Sequence, residues 1–485
     1  MESACKFFLA LIALFTLSGA IAQNKTLYNY QDLSKFYYAK QKDSIKKAWV
    51  CPNIYKDKAT QKKYKEIWDD RTDFITSAIE NDDYVHDKEV YGYVSNIVDE
   101  IVKANSHAIP VKPFLLIDRS SSPNAYAVGN NVLAVNLGLI AFVASKEELA
   151  LAIAHELSHN ILAHADNAMK QRAEWLTSEE YKNSLNAVLD SKYERLSRLK
   201  KVLENFSFDR SKHQRYHESE ADSLAIVLLK NSKIGFDASF FLRLDSADIV
   251  YMKPLHDPLK SYFASYDLSF DESWAQKRTK GLSAKNYNFH ESTSLADSLK
   301  THPDCAERYA RTVQFTTKDL SATSIPLEVR EITTRMILWN MYKNMNLTPC
   351  LYRILLEKDR GQKDDWYDFM VSNIFSGLYY ADKGLNRFNA IGIVQKEYVS
   401  KDYYQLQTMF EQMPRESLEQ YCKRFQNAAF WSSMPPAEKG LKSFLYELTL
   451  NGESNDKDHA KSAKQYMTNN ATSMYCELAD LFDKK

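Results

Sequence analysis

The sequence predicts an α+β, mostly helical fold, with a small β-sheet beside one central helix and an all-α C-terminal region. Apolar residues recur at helical spacing over most of the chain. Two short apolar runs with β-branched residues, at 113–118 and 132–136, interrupt that spacing and predict strands. Only 12 Gly and 12 Pro punctuate the 485 residues, which favours a folded, helix-rich protein.

A chain of this length exceeds the usual size of one compact core, so we predict several segments. Residues 1–22 are a leader, 23–84 an N-terminal helical segment, 85–315 the domain that contains the sheet, and 320–485 a C-terminal helical domain. Lys plus Arg equals Asp plus Glu, at 63 each, so the charge balance predicts no nucleic-acid partner.

The leader is typical of a secretory signal peptide. Lys6 precedes an apolar run at 7–17, and Ala20-Ile21-Ala22 fits a cleavage site. Because this run is shorter than the roughly 20 residues that span a bilayer, an uncleaved anchor is the weaker alternative. We therefore expect export, with no integral membrane segment after cleavage. Five widely spaced cysteines remain without a C-x-x-C pair, which excludes a cysteine zinc site and leaves disulfides open.

The two strands are predicted to be joined by a turn at residues 129–131, and a helix follows them. Ser145 and Glu148 predict a capping box at the start of this helix, which should continue through His164. Helices are also predicted at about 168–206 and 217–230, followed by an irregular segment at 246–300. From about residue 327 onward the pattern is helical again, and one of these helices is capped by Asp364 and ends near Gly384. Degenerate helical repeats and a plain bundle both remain open for the C-terminal helices.

The helix after the strands carries His155-Glu156-Leu157-Ser158-His159. His155 and His159 are about one turn apart, so both imidazoles leave the same face and can hold one Zn²⁺. In an H-E-x-x-H motif the glutamate accepts a proton from the metal-bound water, which makes Glu156 the predicted catalytic base. Because chance also produces this motif, a third ligand is needed.

The residues after the motif exclude one class of zinc site. A metzincin continues as H-E-x-x-H-x-x-G-x-x-H, but Leu162 and Ala165 stand where that class has Gly and His. His164 is one position short, and we interpret it as a hydrogen-bonded helix histidine.

The predicted third ligand is Glu218, at the start of the helix at 217–230. Glu218 and Asp222 are four residues apart, so both project toward one side. Glu218 can bind the metal while Asp222 accepts a hydrogen bond from the far nitrogen of a metal-binding imidazole. The alternative is a solvated acidic face at a helix N-terminus, where the helix dipole favours carboxylates. Together with the upstream motif, Glu218 predicts a His₂Glu, gluzincin-type site for one Zn²⁺ per chain.

Five blocks of the chain resemble metallopeptidase family forty-eight, in the order found there, over about residues 85–315. They are Asn124-Ala125-Tyr126-Ala127, Gly138-Leu139, residues 148–159, residues 218–222, and Thr301-His302-Pro303 with Arg308. Relatives in this family include the HtpX-type membrane protease, the CAAX prenyl endopeptidase and soluble periplasmic proteases with helical-repeat tails. The transmembrane helices of the first two have no counterpart here, so the soluble periplasmic branch is the closer analogy.

The resemblance implies the same zinc ligands, base and supporting carboxylate as the spacing does. It adds His302, whose counterpart in the family lies near the metal. There it can stabilise the oxyanion or, in soluble members, help a loop to plug the site. The resemblance therefore implies that the site is gated or assisted by this histidine.

The predicted function is zinc-dependent endopeptidase hydrolysis of envelope or secreted proteins, in protein quality control. A substrate strand is predicted to pair with the sheet edge formed by Val132, Leu133, Ala134, Val135 and Asn136. The alternative is a latent or inactive peptidase acting as a chaperone-like assembly or binding factor, with a protein partner on the C-terminal helices. Family analogy favours a bacterial periplasm or envelope, while N-x-S/T triplets such as that at Asn346 leave eukaryotic secretion as the alternative.

Overall fold

The computed structural model describes residues 27–191, 193–276, 305–452 and 454–483. The predicted signal peptide and His302 therefore lie outside the described residues. Within the described part, no helix combines the length and apolar character needed to cross a membrane.

A three-stranded sheet stands beside the central helix. Its strands are β1 (Phe114–Asp118), β2 (Ala125–Ala127) and β3 (Val132–Asn136), in the order β1-β3-β2. β1 is parallel to β3, and β2 is antiparallel to it. Both predicted strands are present, but the turn at residues 129–131 joins β2 to β3, so the prediction that it joins the other two is wrong. β2 has only three residues, too few for a readable alternation.

The position of β3 overturns the predicted substrate edge. Its residues are all buried and are paired with β1 on one side and β2 on the other: Val132, Leu133, Ala134, Val135 and Asn136. A middle strand has no free backbone donors and acceptors for an added strand. The prediction that β3 pairs with substrate is therefore wrong.

Helices account for most of the described chain, which confirms the predicted fold class. Up to the end of the sheet-containing part they are α1 (Ser34–Tyr37), α2 (Ala39–Ala48), α3 (Lys58–Glu80), α4 (Lys88–Ala104), α5 (Leu137–Phe142), α6 (Lys146–Ile161), α7 (His164–Thr177), α8 (Glu179–Leu189), α9 (Arg195–Asn231), α10 (Ser239–Leu244), α11 (Leu259–Ala264) and α12 (Cys305–Thr312). The C-terminal helices are α13 (Leu327–Lys343), α14 (Leu347–Asp359), α15 (Asp365–Lys383), α16 (Arg387–Ile391), α17 (Lys401–Gln412), α18 (Arg415–Gln426), α19 (Pro436–Thr449), α20 (Asp456–Asn469) and α21 (Cys476–Asp483).

The start of α6 follows the prediction closely. The Ser145 hydroxyl accepts a hydrogen bond from the Glu148 amide at 3.3 Å. The Glu148 carboxylate accepts from the Ala144 amide at 2.6 Å, one residue earlier than in a capping box. The cap on α15 is also confirmed, since Asp364 accepts from the Trp366 amide at 2.7 Å.

Two helix boundaries near the site differ from the predictions. α6 ends at Ile161 and α7 begins at His164, because Ala163 adopts left-handed backbone angles, with φ 53°. α9 is one continuous helix, so Glu218 lies well inside it rather than at its start. This position removes the alternative of an acidic face at a helix N-terminus, because the helix dipole acts within the first turn.

One large hydrophobic core runs through the described chain, and two smaller clusters involve the N-terminal helices. The buried residues of the large core extend from Leu27 to Phe482, and α13 packs against α4 and α5. Within the described residues no disulfide links the five cysteines to one another, which answers the question that the sequence left open for Cys51, Cys305, Cys350, Cys422 and Cys476.

Candidate metal centre

The two motif histidines lie on the inner face of α6. Apolar residues of this helix such as Leu149 and Leu157 are buried in the core and fix its position. An amide hydrogen bond from Asn160 to the Val132 carbonyl, at 3.1 Å, attaches the helix to β3. The Nε2 atoms of His155 and His159 are 3.0 Å apart, so both imidazoles point to one place.

Glu218 of α9 brings the carboxylate of the predicted third ligand to the same place. Its carboxylate oxygens lie 3.2 Å from Nε2 of His155 and 3.4 Å from Nε2 of His159. Bonds of about 2.0–2.1 Å at tetrahedral angles would put ligand atoms roughly 3.3 Å apart. The donor set and its spacing therefore fit a tetrahedral zinc ion held by three residues, with a fourth position left for water or substrate.

Asp222, one turn further along α9, holds the first imidazole. One of its oxygens lies 3.0 Å from Nδ1 of His155. The Arg308 guanidinium donates to both oxygens of Asp222, at 2.6 and 2.9 Å. Burial alone would raise the pKa of Asp222, but its hydrogen bonds with His155 and Arg308 and the Arg308 charge lower it. Asp222 is thus an anion that contacts His155, as the spacing requires, while its role beside a bound metal stays a prediction. The contact with Arg308 was not predicted.

The carboxylates around His155 also favour positive charge on its imidazole. Burial works against a charge on this imidazole, yet the hydrogen bonds to Asp222 and Glu218 raise its pKa to about 9. Two carboxylates therefore favour positive charge at this point, a condition that a bound metal ion in place of the proton would also satisfy.

His164 holds the second imidazole, a role that its position in the sequence did not predict. The break at Ala163 returns the chain toward α6, so that Nδ1 of His164 lies 2.9 Å from Nδ1 of His159. Burial first, and then the charges of His159 and His217, lower the pKa of His164 to about 4. A neutral His164 can accept the Nδ1 proton of His159 while Nε2 of His159 faces the metal position.

Glu156 follows His155 directly and is 8% exposed. It lies in the same turn of α6 as the predicted ligands, as its assignment as base requires. His302 lies outside the described residues, so its implied role stays a prediction.

Two helices that bring an H-E-x-x-H motif and a glutamate together define the glutamate-type class of metallopeptidase site. Residues 89–314 match the model of Peptidase family M48. The chain therefore carries a domain of that family, which confirms the family resemblance seen in the sequence blocks. A protein of Vibrio cholerae serotype O1 named "Putative beta-barrel assembly-enhancing protease" is 28% identical over 171 residues. The match covers 34% of each chain, so this chain aligns with about a third of that relative's length.

Proposed function

We propose that this chain is a zinc-dependent metalloendopeptidase that cleaves exported proteins. The observation that carries the proposal is the convergence of His155, His159 and Glu218, with ligand atoms 3.0–3.4 Å apart. Bound zinc would supply Lewis acidity that polarises a peptide carbonyl and lowers the pKa of water. Glu156 accepts the proton of the attacking water and passes it to the leaving amine.

The substrate strand is proposed to pair with β2 rather than β3. β2 is an edge of the described sheet, paired with β3 on one side, and it packs against α6. Its free backbone groups can pair with an extended peptide, which would then run beside the helix that carries the metal ligands. This arrangement needs an unfolded or extended segment of substrate, in keeping with an endopeptidase acting on misfolded proteins.

An envelope location is part of the proposal. The signal-like leader supports export, and the relative's printed name refers to β-barrel assembly, a process of bacterial outer membranes. We propose quality control of envelope proteins as the role.

The test is Glu156→Gln, with metal content and hydrolysis of an unfolded protein measured together. The variant should keep zinc and lose about 10²–10⁴-fold in kcat, because the proton acceptor is gone while the ligands remain. Glu180→Gln, an exposed change on α8, is the matched control and should leave kcat unchanged. Full activity of the zinc-loaded Glu156→Gln chain would refute the assignment of the base, and absence of bound zinc in the wild type would refute the proposed function.

A further inference from the structure

A second group of metal-ligating side chains adjoins the first. His217 and Glu220 flank Glu218 on α9, and His164 begins α7. One ligand atom from each of His164, His217 and Glu220 lies within 4.8 Å of the others. We propose that these three residues form a second binding site, for a first-row divalent metal ion with zinc as the expected occupant.

Of these three residues, His164 is buried, whereas His217 and Glu220 are partly accessible to solvent. Nε2 of His164 lies 3.5 Å from a carboxylate oxygen of Glu220. The His217 ring is stacked on the His164 ring, with centroids 4.2 Å apart and planes 14° apart. His217 and Glu220 are half-buried, so an ion can reach the group from solvent and small side-chain rotations can complete its coordination. Two imidazoles and a carboxylate suit zinc, nickel, cobalt or copper better than calcium or magnesium.

The two sites are linked by His164. When His159 binds a metal through Nε2, its remaining proton lies on Nδ1 and is donated to Nδ1 of His164. A neutral His164 then carries its own proton on Nε2, the atom that faces Glu220. A metal on that atom has to replace the proton, which changes the hydrogen bond that orients His159. Filling the second site should therefore disturb the first, and excess zinc should inhibit the enzyme.

Metal stoichiometry tests the site independently of activity. The purified metal-free chain carrying Glu156→Gln is titrated with zinc, and separately with cobalt, in equilibrium dialysis. We expect two equivalents per chain, one tight and one weaker. His217→Gln and Glu220→Gln should each remove the weaker equivalent and keep the tight one. His256→Gln, which changes a histidine whose side chain is 83% exposed, should keep both.

A single equivalent in the parent chain that the His217→Gln and Glu220→Gln chains both keep, or two equivalents in both of those chains, would overturn the second site. Because two single variants probe the site, misfolding of one leaves the test intact.

The inhibitory effect of excess zinc rests on the proposed function and is measured separately, from hydrolysis by the chain with Glu156 restored. There, His217→Gln should raise the zinc concentration for half inhibition at least tenfold, and an unchanged value would overturn the coupling. Retention of only the weaker equivalent in the parent chain would contradict the proposed function while supporting the second site.

Discussion

His155 and His159 are oriented by chemically different partners. An anionic carboxylate, Asp222, faces His155 and is itself paired with Arg308. A neutral imidazole, His164, faces His159. A carboxylate strengthens the donor power of an imidazole more than a neutral acceptor does, because it stabilises positive charge on the ring. His155 should therefore be the stronger ligand, and His159 the one whose position is easier to change.

The hydrogen bond from His159 gives the residue-scale prediction. His164→Leu removes the acceptor, and loss of a partner of this kind typically costs 10–100-fold in metal affinity. His164→Gln keeps an acceptor and should recover part of that loss. Competition with a chelator measures the affinity of the tight site, with His107→Gln, an exposed histidine, as the control. Wild-type affinity in the His164→Leu chain would show that His164 does not orient His159.

At the scale of elements, the loop at 119–124 connects β1 to β2 and passes directly over Gly138 at the start of α5. The Gly138 amide donates to the Ser120 carbonyl at 2.9 Å. A Cβ on Gly138 would lie 2.3 Å from the carbonyl oxygens of Ser121 and Ser122. No side chain fits there unless the backbone moves, so the loop and the β2 edge depend on this glycine.

Gly138→Ala is therefore expected to be strongly unfavourable. Overpacking against fixed atoms typically costs about 1–3 kcal/mol or more in the free energy of unfolding. Gly92→Ala on α4 is the matched control, since a Cβ there meets no atom within 4 Å. That control should gain roughly 0.5–1 kcal/mol, because alanine is the better residue in a helix interior. Urea unfolding of both variants compares them, and equal stabilities would disprove the close approach seen at Gly138.

The predictable elements are those encoded by local pattern. The start of α6 follows from Ser145 and its neighbours, and β1 and β3 follow from apolar runs. The break at Ala163 could not be predicted, because alanine favours helix and rarely adopts the φ of 53° found there. The order of the sheet was equally hidden, since β2 is too short to read.

The candidate site also contains residues that local spacing predicts and residues that only the tertiary structure brings together. The proposed ligands, the proposed base and the position of Asp222 beside them followed from residue type and helical spacing, which need only local geometry. His164 was predicted to be an ordinary hydrogen-bonded histidine, because its approach to His159 depends on the unpredicted break. Arg308 approaches Asp222 from 86 residues further along the chain, and no spacing rule covers such a distance.

At the scale of the whole molecule, one buried carboxylate joins three parts of the chain. Glu477 of α21 accepts hydrogen bonds from Arg119 beside β1, from Trp339 and Lys343 of α13, and from the Tyr28 hydroxyl. The Arg119 and Trp339 contacts are 2.8 and 2.7 Å long. The N-terminal segment, the sheet region and the C-terminal helices therefore share one core and contact one buried carboxylate, through a hydroxyl from the first and ion pairs from the other two.

Replacing this carboxylate should destabilise the whole molecule. Burial alone would raise the pKa of Glu477, but Arg119 and Lys343 bring it down to about 2. An unfolded glutamate titrates near 4.3, so the ion pair contributes fully above that pH and is lost as pH falls toward 2. Glu477→Gln leaves the buried Arg119 and the half-buried Lys343 without their anion and should cost on the order of 3–5 kcal/mol at pH 7. Urea unfolding at pH 7 and pH 3 should show a smaller difference in stability between the variant and the wild type at the lower pH.

Glu419→Gln, which breaks a surface pair with Lys423, is the control and should change stability far less. An equal loss in the two variants at pH 7, or a Glu477→Gln effect that does not change with pH, would show that this ion pair does not hold the three parts together.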